Sequence, residues 1–184
     1  MDEPANGDRG SVSASFLTSV FEATDDGLLV VDDEGSIRHY NRRFREIWEL
    51  PAEALEDGTD ETALEHAKER VADPEGFLSR VEEIYENEDA ELRDHLEFAD
   101  GRVVERYTRP VKQNGETIGR VWSFRDVTDR AETMARLEAS EQRYRALLEQ
   151  NVAGVFYSTV DGEWVDCNQA FASIFGHDSP EELM

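Results

Sequence analysis

Cysteine occurs once in this chain, at Cys167, which excludes a disulfide framework and a cysteine-rich zinc site. Lysine is nearly as scarce: of 19 basic residues, only Lys68 and Lys112 are lysine. Set against 43 acidic residues they leave a net charge of −24, the opposite of the basic footprint that nucleic-acid phosphates require. No run of about 18 apolar residues is present, so no membrane segment is expected. The opening MDEPANGDRGSVSA lacks the basic and apolar regions of a secretory signal, and a cytoplasmic location is expected. The acidic residues are spread through periodic segments, a diffuse coat that suits a halophilic setting where salt screens self-repulsion.

What is present in 184 residues is room for one full domain and part of a second. Residues 1–11 are small, polar and charged, and are expected to be disordered. Val12, Phe16, Val20 and Ala23 then recur at helical spacing. Leu28–Val31 and Ile37–Tyr40 read as strands around the turn residues Asp33, Glu34 and Gly35. Asn41 stands where a helix cap is wanted, ahead of Phe44, Ile47 and Trp48 on one helical face, and Pro51 stops that helix. Residues 60–88 read as helical, with Pro74 in the first turn of the second helix. Three strands follow, joined by Asp100-Gly101 and Asn114-Gly115, both hairpin signals. The pattern predicts an α+β fold: a five-stranded antiparallel sheet, short helices on one face, a helix before it and another after it.

The chain also repeats itself. Displaced by 127 positions, GLLVVDDEGSIRHYNRRFREIW falls on GVFYSTVDGEWVDCNQAFASIF without a gap. Gly27 meets Gly154, Asn41 meets Asn168, Phe44 meets Phe171 and Ile47 meets Ile174. A weaker correspondence upstream begins near Tyr144.

The glycine-led strand with its acidic turn and NRRF, the late three-strand meander and the closing RDVTDRAE together resemble the PAS sensor family. RDVTDRAE is similar to the Asp-Ile-Thr motif that ends many such domains, with Val127 at the middle position. The resemblance implies a PAS domain over 12–127, a linker or signalling helix over 128–149, and a truncated start of a second copy over 150–184. It implies a sensory module that binds a small ligand or partner and signals through the helix to an output domain outside this chain. That output would be a histidine kinase or taxis transducer. A ligand-free interaction or dimerisation module is the alternative. No phosphate-binding loop follows a strand and no kinase box is present, so no catalytic activity is expected of this chain.

Candidate pocket residues are Tyr40, Phe44, Trp48, Trp122 and Phe124; alternation puts Trp122 and Phe124 on one face of their strand but leaves open which face is inward. Asp126, Val127, Thr128 and Asp129 form the candidate signal joint, with Asp129 and Glu132 at capping-box spacing and Asp126 and Thr128 as other caps. Val127, Ala131, Met134, Leu137, Tyr144, Leu147 and Leu148 make an interrupted apolar stripe. It suits a parallel coiled coil in a homodimer through the first and linker helices, or else a solvated linker helix. His39, His66, His95 and His177 have no zinc-like partners at ligand spacing, and no metal is expected. The cofactor is unknown. His66 lies in the helical region where haem-binding relatives of such domains carry a ligand, but no other residue supports haem. The Asn-Cys-Arg flavin motif is not matched: Cys167 precedes Asn168, and Tyr40 holds that place in the first copy. Cys167 reads as a small buried apolar group.

Overall fold

A computed structural model of the protein describes residues 8–55 and 60–182. The chain divides into two compact units, Met1–Thr128 and Asp129–Met184.

In the first unit, helix α1 (Asp8–Glu22) precedes strands β1 (Gly27–Asp32) and β2 (Ile37–Tyr40). The helix starts inside the segment expected to be disordered. Residues 1–7 lie outside the described residues, as does the side chain of Val12. Helices α2 (Arg42–Trp48), α3 (Asp60–Lys68) and α4 (Pro74–Glu86) follow, then β3 (Leu92–Glu97), β4 (Val103–Gln113) and β5 (Glu116–Asp126). The strands make one antiparallel sheet in the order β2-β1-β5-β4-β3. The meander therefore docks through β5 onto the first hairpin, closing a sheet that no local run of sequence contains.

Turn chemistry sets the register. Asn114 and Gly115 both adopt positive φ, 53° and 93°, as a two-residue hairpin turn that follows the strand twist demands. Asp100 Oδ1 accepts from the Arg102 amide at 3.0 Å and closes the other hairpin. Pairing to β3 stops at Thr108, so Pro110 lies where β4 has β5 as its single neighbour and its missing N–H costs least.

Strand alternation then sorts the faces. Leu29 and Val31 of β1, Val104, Arg106 and Thr108 of β4, and Trp122 and Phe124 of β5 are buried. Against them pack Phe44, Ile47 and Trp48 of α2, Ala63 and Ala67 of α3, and Phe77, Val81 and Ile84 of α4. Each large apolar side chain removed from water in this way contributes about 1.5–3 kcal/mol.

Asn41 holds the entry to this core. Its side-chain oxygen accepts from the amides of Leu28 (2.8 Å) and Phe44 (2.9 Å), capping α2 and pinning β1 together. Its amide nitrogen donates to Phe21 O, Thr24 Oγ1 and Asp26 O. Gly27 beside it has no room for a side chain, since a Cβ would sit 2.8 Å from Phe44 Cα. Helix α2 ends at Glu49, a non-glycine residue in the left-handed region (φ 51°), whose carboxylate is held by Arg70 and Arg102. Its end therefore comes before Pro51.

The second unit contains α5 (Thr128–Glu149) from Asp129 onward, β6 (Phe156–Ser158), β7 (Trp164–Cys167) and α6 (Gln169–Ile174). Strands β6 and β7 form a two-stranded antiparallel sheet. Asn168 caps α6: its oxygen accepts from the amides of Val155 and Phe171, both at 2.9 Å. Its nitrogen donates to the carbonyls of Leu148, Asn151 and Ala153.

Candidate functional site

Between the inner sheet face and helices α2, α3 and α4 lies a cavity of about 40 Å³. Sheet residues Leu29, Arg106, Trp122 and Phe124 line one side, and Phe44, Trp48, Ala63, Ala67, Phe77 and Tyr85 are among those lining the other. Four of the five residues expected to line a pocket are thus brought together. Trp122 and Phe124 face inward and stack at 6.4 Å between ring centroids; Phe124 meets Phe44 at 5.6 Å and Trp48 edge-on at 5.2 Å. Tyr40, at the end of β2, is half-buried against the margin of the core and does not line the cavity.

Arg106 is the residue that sequence reading missed. It is 1% exposed, on the inner register of β4 directly opposite Asp94 of β3. Its Nε and Nη2 donate to the two Asp94 carboxylate oxygens at 2.9 and 2.6 Å, a bidentate pair. The guanidinium also lies over the rings of Phe77 (5.6 Å) and Trp122 (5.8 Å). Among the described residues its third nitrogen, Nη1, has no partner, and neither has the buried indole Nε1–H of Trp48. A buried donor without an acceptor costs about 1–3 kcal/mol. The register that pairs Asp94 with Arg106 comes from a three-residue turn, residues 99–101, closed by the Phe98 amide donating to Arg102 O; a two-residue Asp100-Gly101 turn would instead have put Tyr107 opposite Asp94.

Arg120 fixes the helical wall. Buried on β5, it donates to the main-chain oxygens of Ala90 (2.7 Å), Glu88 (3.1 Å) and Asn87 (3.3 Å), which follow α4. Burial pulls its pKa below the usual arginine range, and Tyr85 offsets part of that. The end of α4 is thereby tied to the sheet.

The expected signal joint is tightly bonded within the first unit. Asp126 Oδ1 accepts from both the amide (3.0 Å) and the hydroxyl (2.6 Å) of Thr128. Thr128 Oγ1 in turn accepts from the Val103 amide, and Val127 N donates to Val103 O at 2.9 Å. The strand end and helix start are both fastened to the first residue of β4. Asp126, rather than a capping box of Asp129 and Glu132, makes the turn; Glu132 instead pairs with Arg136 at 2.6 Å.

Cys167 is buried, and burial raises its pKa, with Asp166 and Glu181 adding to the effect. His66 Nδ1 lies 3.0 Å from Thr62 O on its own helix. Asp26 forms a bidentate pair with Arg125 at 2.6 and 2.8 Å, tying β1 to the end of β5. Among the described residues no three histidine, cysteine, aspartate or glutamate side chains converge as metal ligands, and no helix is long and apolar enough to cross a membrane.

A family profile described as PAS fold matches residues 21–132, and a second profile of the same description matches 142–184. The chain belongs to the PAS family of sensory domains. Solved structures are similar to the chain, and the first two named here show the same fold. The PAS domain of BvgS from Bordetella pertussis is 20% identical with a TM-score of 0.50, covering 72% of this chain and 98% of that one. An RNA-binding light-oxygen-voltage receptor is 20% identical with a TM-score of 0.52, covering 77% of this chain and 41% of that protein. The PAS domain of an HTR-like protein from Haloarcula marismortui is 21% identical with a TM-score of 0.44, covering 64% and 94%. No curated protein matches.

Proposed function

We propose that the first unit senses a small molecule held between its sheet and helices, and that occupancy is passed through Asp126–Thr128 and α5 to an output module outside this chain. The observation that carries this reading is the cavity itself, an apolar chamber between the inner face of the sheet and helices α2, α3 and α4. Its sheet wall is the same pair of strands whose ends hold Val127 and Thr128 through Val103. A ligand that favours one packing of sheet against helices would therefore bias the joint, a population shift. The output is a histidine kinase or taxis-transducer type of module.

In this reading residues 12–127 are the sensor, 128–149 its signalling helix and 150–184 the opening of a second copy. Phe16, Leu17 and Val20 on α1 and Met134, Leu137, Tyr144 and Leu147 on α5 are exposed, which supports a homodimer with paired α5 helices. The charge of −24 supports a high-salt cytoplasmic setting. The same exposed α1 face favours the second reading, a dimerising module without ligand. Native mass spectrometry of the purified chain separates them. The sensor reading expects a copurified small molecule in addition to the chain mass; a dimer with bare mass from every source of expression would favour the scaffold.

A further inference from the structure

The wall of the cavity between sheet and helices carries little polarity. Apart from Arg106 and Tyr85 its lining is aliphatic and aromatic. Arg106 has its charge engaged elsewhere: its bidentate partner Asp94 is absent from this lining and borders a separate groove, with Arg80 and His95. Tyr85 is 38% exposed and so borders solvent as well. A buried water needs two to four polar partners, so a chamber walled in this way stays dry. Empty apolar space leaves its lining without dispersion contacts, and a polarisable apolar guest restores them.

The space owes its existence to two alanines. Ala63 and Ala67 stand one turn apart on α3, both buried and both on the lining. Their methyl groups leave open a volume that larger side chains on that face would fill. That volume is about 40 Å³. One water takes ~10–15 Å³ and an apolar cavity of ~150 Å³ takes benzene, so there is room here for about three or four heavy atoms without rearrangement.

We infer that this cavity takes compact apolar guests of about three or four heavy atoms, the class of short hydrocarbons and dissolved apolar gases, and excludes polar molecules of the same size. The inference rests on the reading of the first unit as a small-molecule sensor and names the chemical class it takes. A polar guest of equal volume gives up its water for an almost wholly apolar wall, whereas a hydrocarbon gives up nothing that the wall fails to return.

Cyclopropane, acetamide and benzene test this on the full chain at neutral pH. The readout is the set of methyl resonances of Leu29, Ala63 and Ala67. The expected result is a saturable shift at these methyls with cyclopropane, at roughly tenfold or greater affinity than acetamide or benzene. Ala63→Leu fills the space and should abolish the cyclopropane shifts at Leu29 and Ala67; Ala67→Val, the smaller change, should weaken those at Leu29 and Ala63 several-fold and serves if the first variant fails to fold. Acetamide binding as tightly as cyclopropane would overturn the apolar class, and benzene binding as tightly would overturn the size limit; in either case the cavity remains a ligand site and the sensor reading stands. Undiminished shifts in the filled variants would place the guest elsewhere and overturn the inference. No shift with any of the three would overturn both this inference and the reading beneath it.

Discussion

The two copies of the opening motif carry the same polar scaffold in different surroundings. Each of the five side-chain hydrogen bonds of Asn41 has its counterpart at Asn168, displaced by 127 residues. Even the irregularity in strand pairing recurs, between Val30 and Val31 and again between Tyr157 and Ser158. Burial recurs only in part: Asn168 and Phe171 are buried like Asn41 and Phe44, but other positions are not. Ile47 is 2% exposed and its counterpart Ile174 68%; Leu29 is buried and its counterpart Phe156 is half exposed. The difference teaches which part of the fold is local. A glycine, an asparagine and a turn suffice to build hairpin and helix cap, but covering their apolar faces takes the meander of β3, β4 and β5, which only the first unit contains among the described residues.

The largest expected effect comes from the equivalent isoleucines. Ile47→Ala empties a packed site and should destabilise the first unit by about 2–5 kcal/mol, whereas Ile174→Ala should stay within about 0.5 kcal/mol. Denaturant unfolding with hydrogen exchange resolved by unit checks both. Equal losses would mean that the second copy is covered as well as the first.

Next come the glycines. An alanine Cβ at Gly27 meets main chain, Phe44 Cα at 2.8 Å, so Gly27→Ala should cost about 1–3 kcal/mol. At Gly154 the closest atom is Ile174 Cδ1 at 2.7 Å, the tip of an exposed side chain that can swing away. Gly154→Ala should be clearly milder by the same denaturant assay, and comparable costs would show that Ile174 is held in place.

The smallest effect depends on pH. At the first turn Asp32 Oδ1 accepts from the Ser36 amide at 2.7 Å; at the second, Thr159 Oγ1 accepts from the Glu163 amide at 3.0 Å. Burial alone would raise the Asp32 pKa, but the Ser36 amide, Arg38 and the Glu34 amide together hold it below 3.8. A carboxyl depressed by folding stabilises fully above its unfolded value and loses that contribution as pH falls from there through its folded value. Amide protection at Ser36, corrected for intrinsic exchange, should therefore fall as pH drops below about 4, while Glu163 protection stays level. Asp32→Asn should flatten the Ser36 response; a parallel fall at Glu163 would point to global acid unfolding instead.

Much of this was legible in sequence because it is local. The glycine-bearing turns, the strand phases and the cap at Asn41 all follow from backbone preferences within a few residues, and the repeat transferred them to Asn168. What was not legible depends on partners far apart in the chain. Alternation pairs Trp122 with Phe124 but is symmetric, so the choice of face waits for β1 and α2 to pack. Arg106 reads as an ordinary surface charge until hairpin register places Asp94 opposite it. Tyr40 shares the aromatic character of the lining, yet β2 is an edge strand and carries it to the margin. At the joint several caps were legible, Asp126 and Thr128 as well as Asp129 with Glu132, and what spacing alone did not decide is that Asp126 takes the Thr128 amide.

The central claim is that the interior of the first unit and the joint at Asp126–Thr128 behave as one device. Ala67→Val tests it most directly, by adding side-chain bulk into the cavity from α3. Amide exchange at Val103, Val127 and Thr128 is then compared with the parent chain. The account predicts altered protection at all three amides. Changes confined to α3 and its immediate neighbours, with the joint untouched, would contradict it.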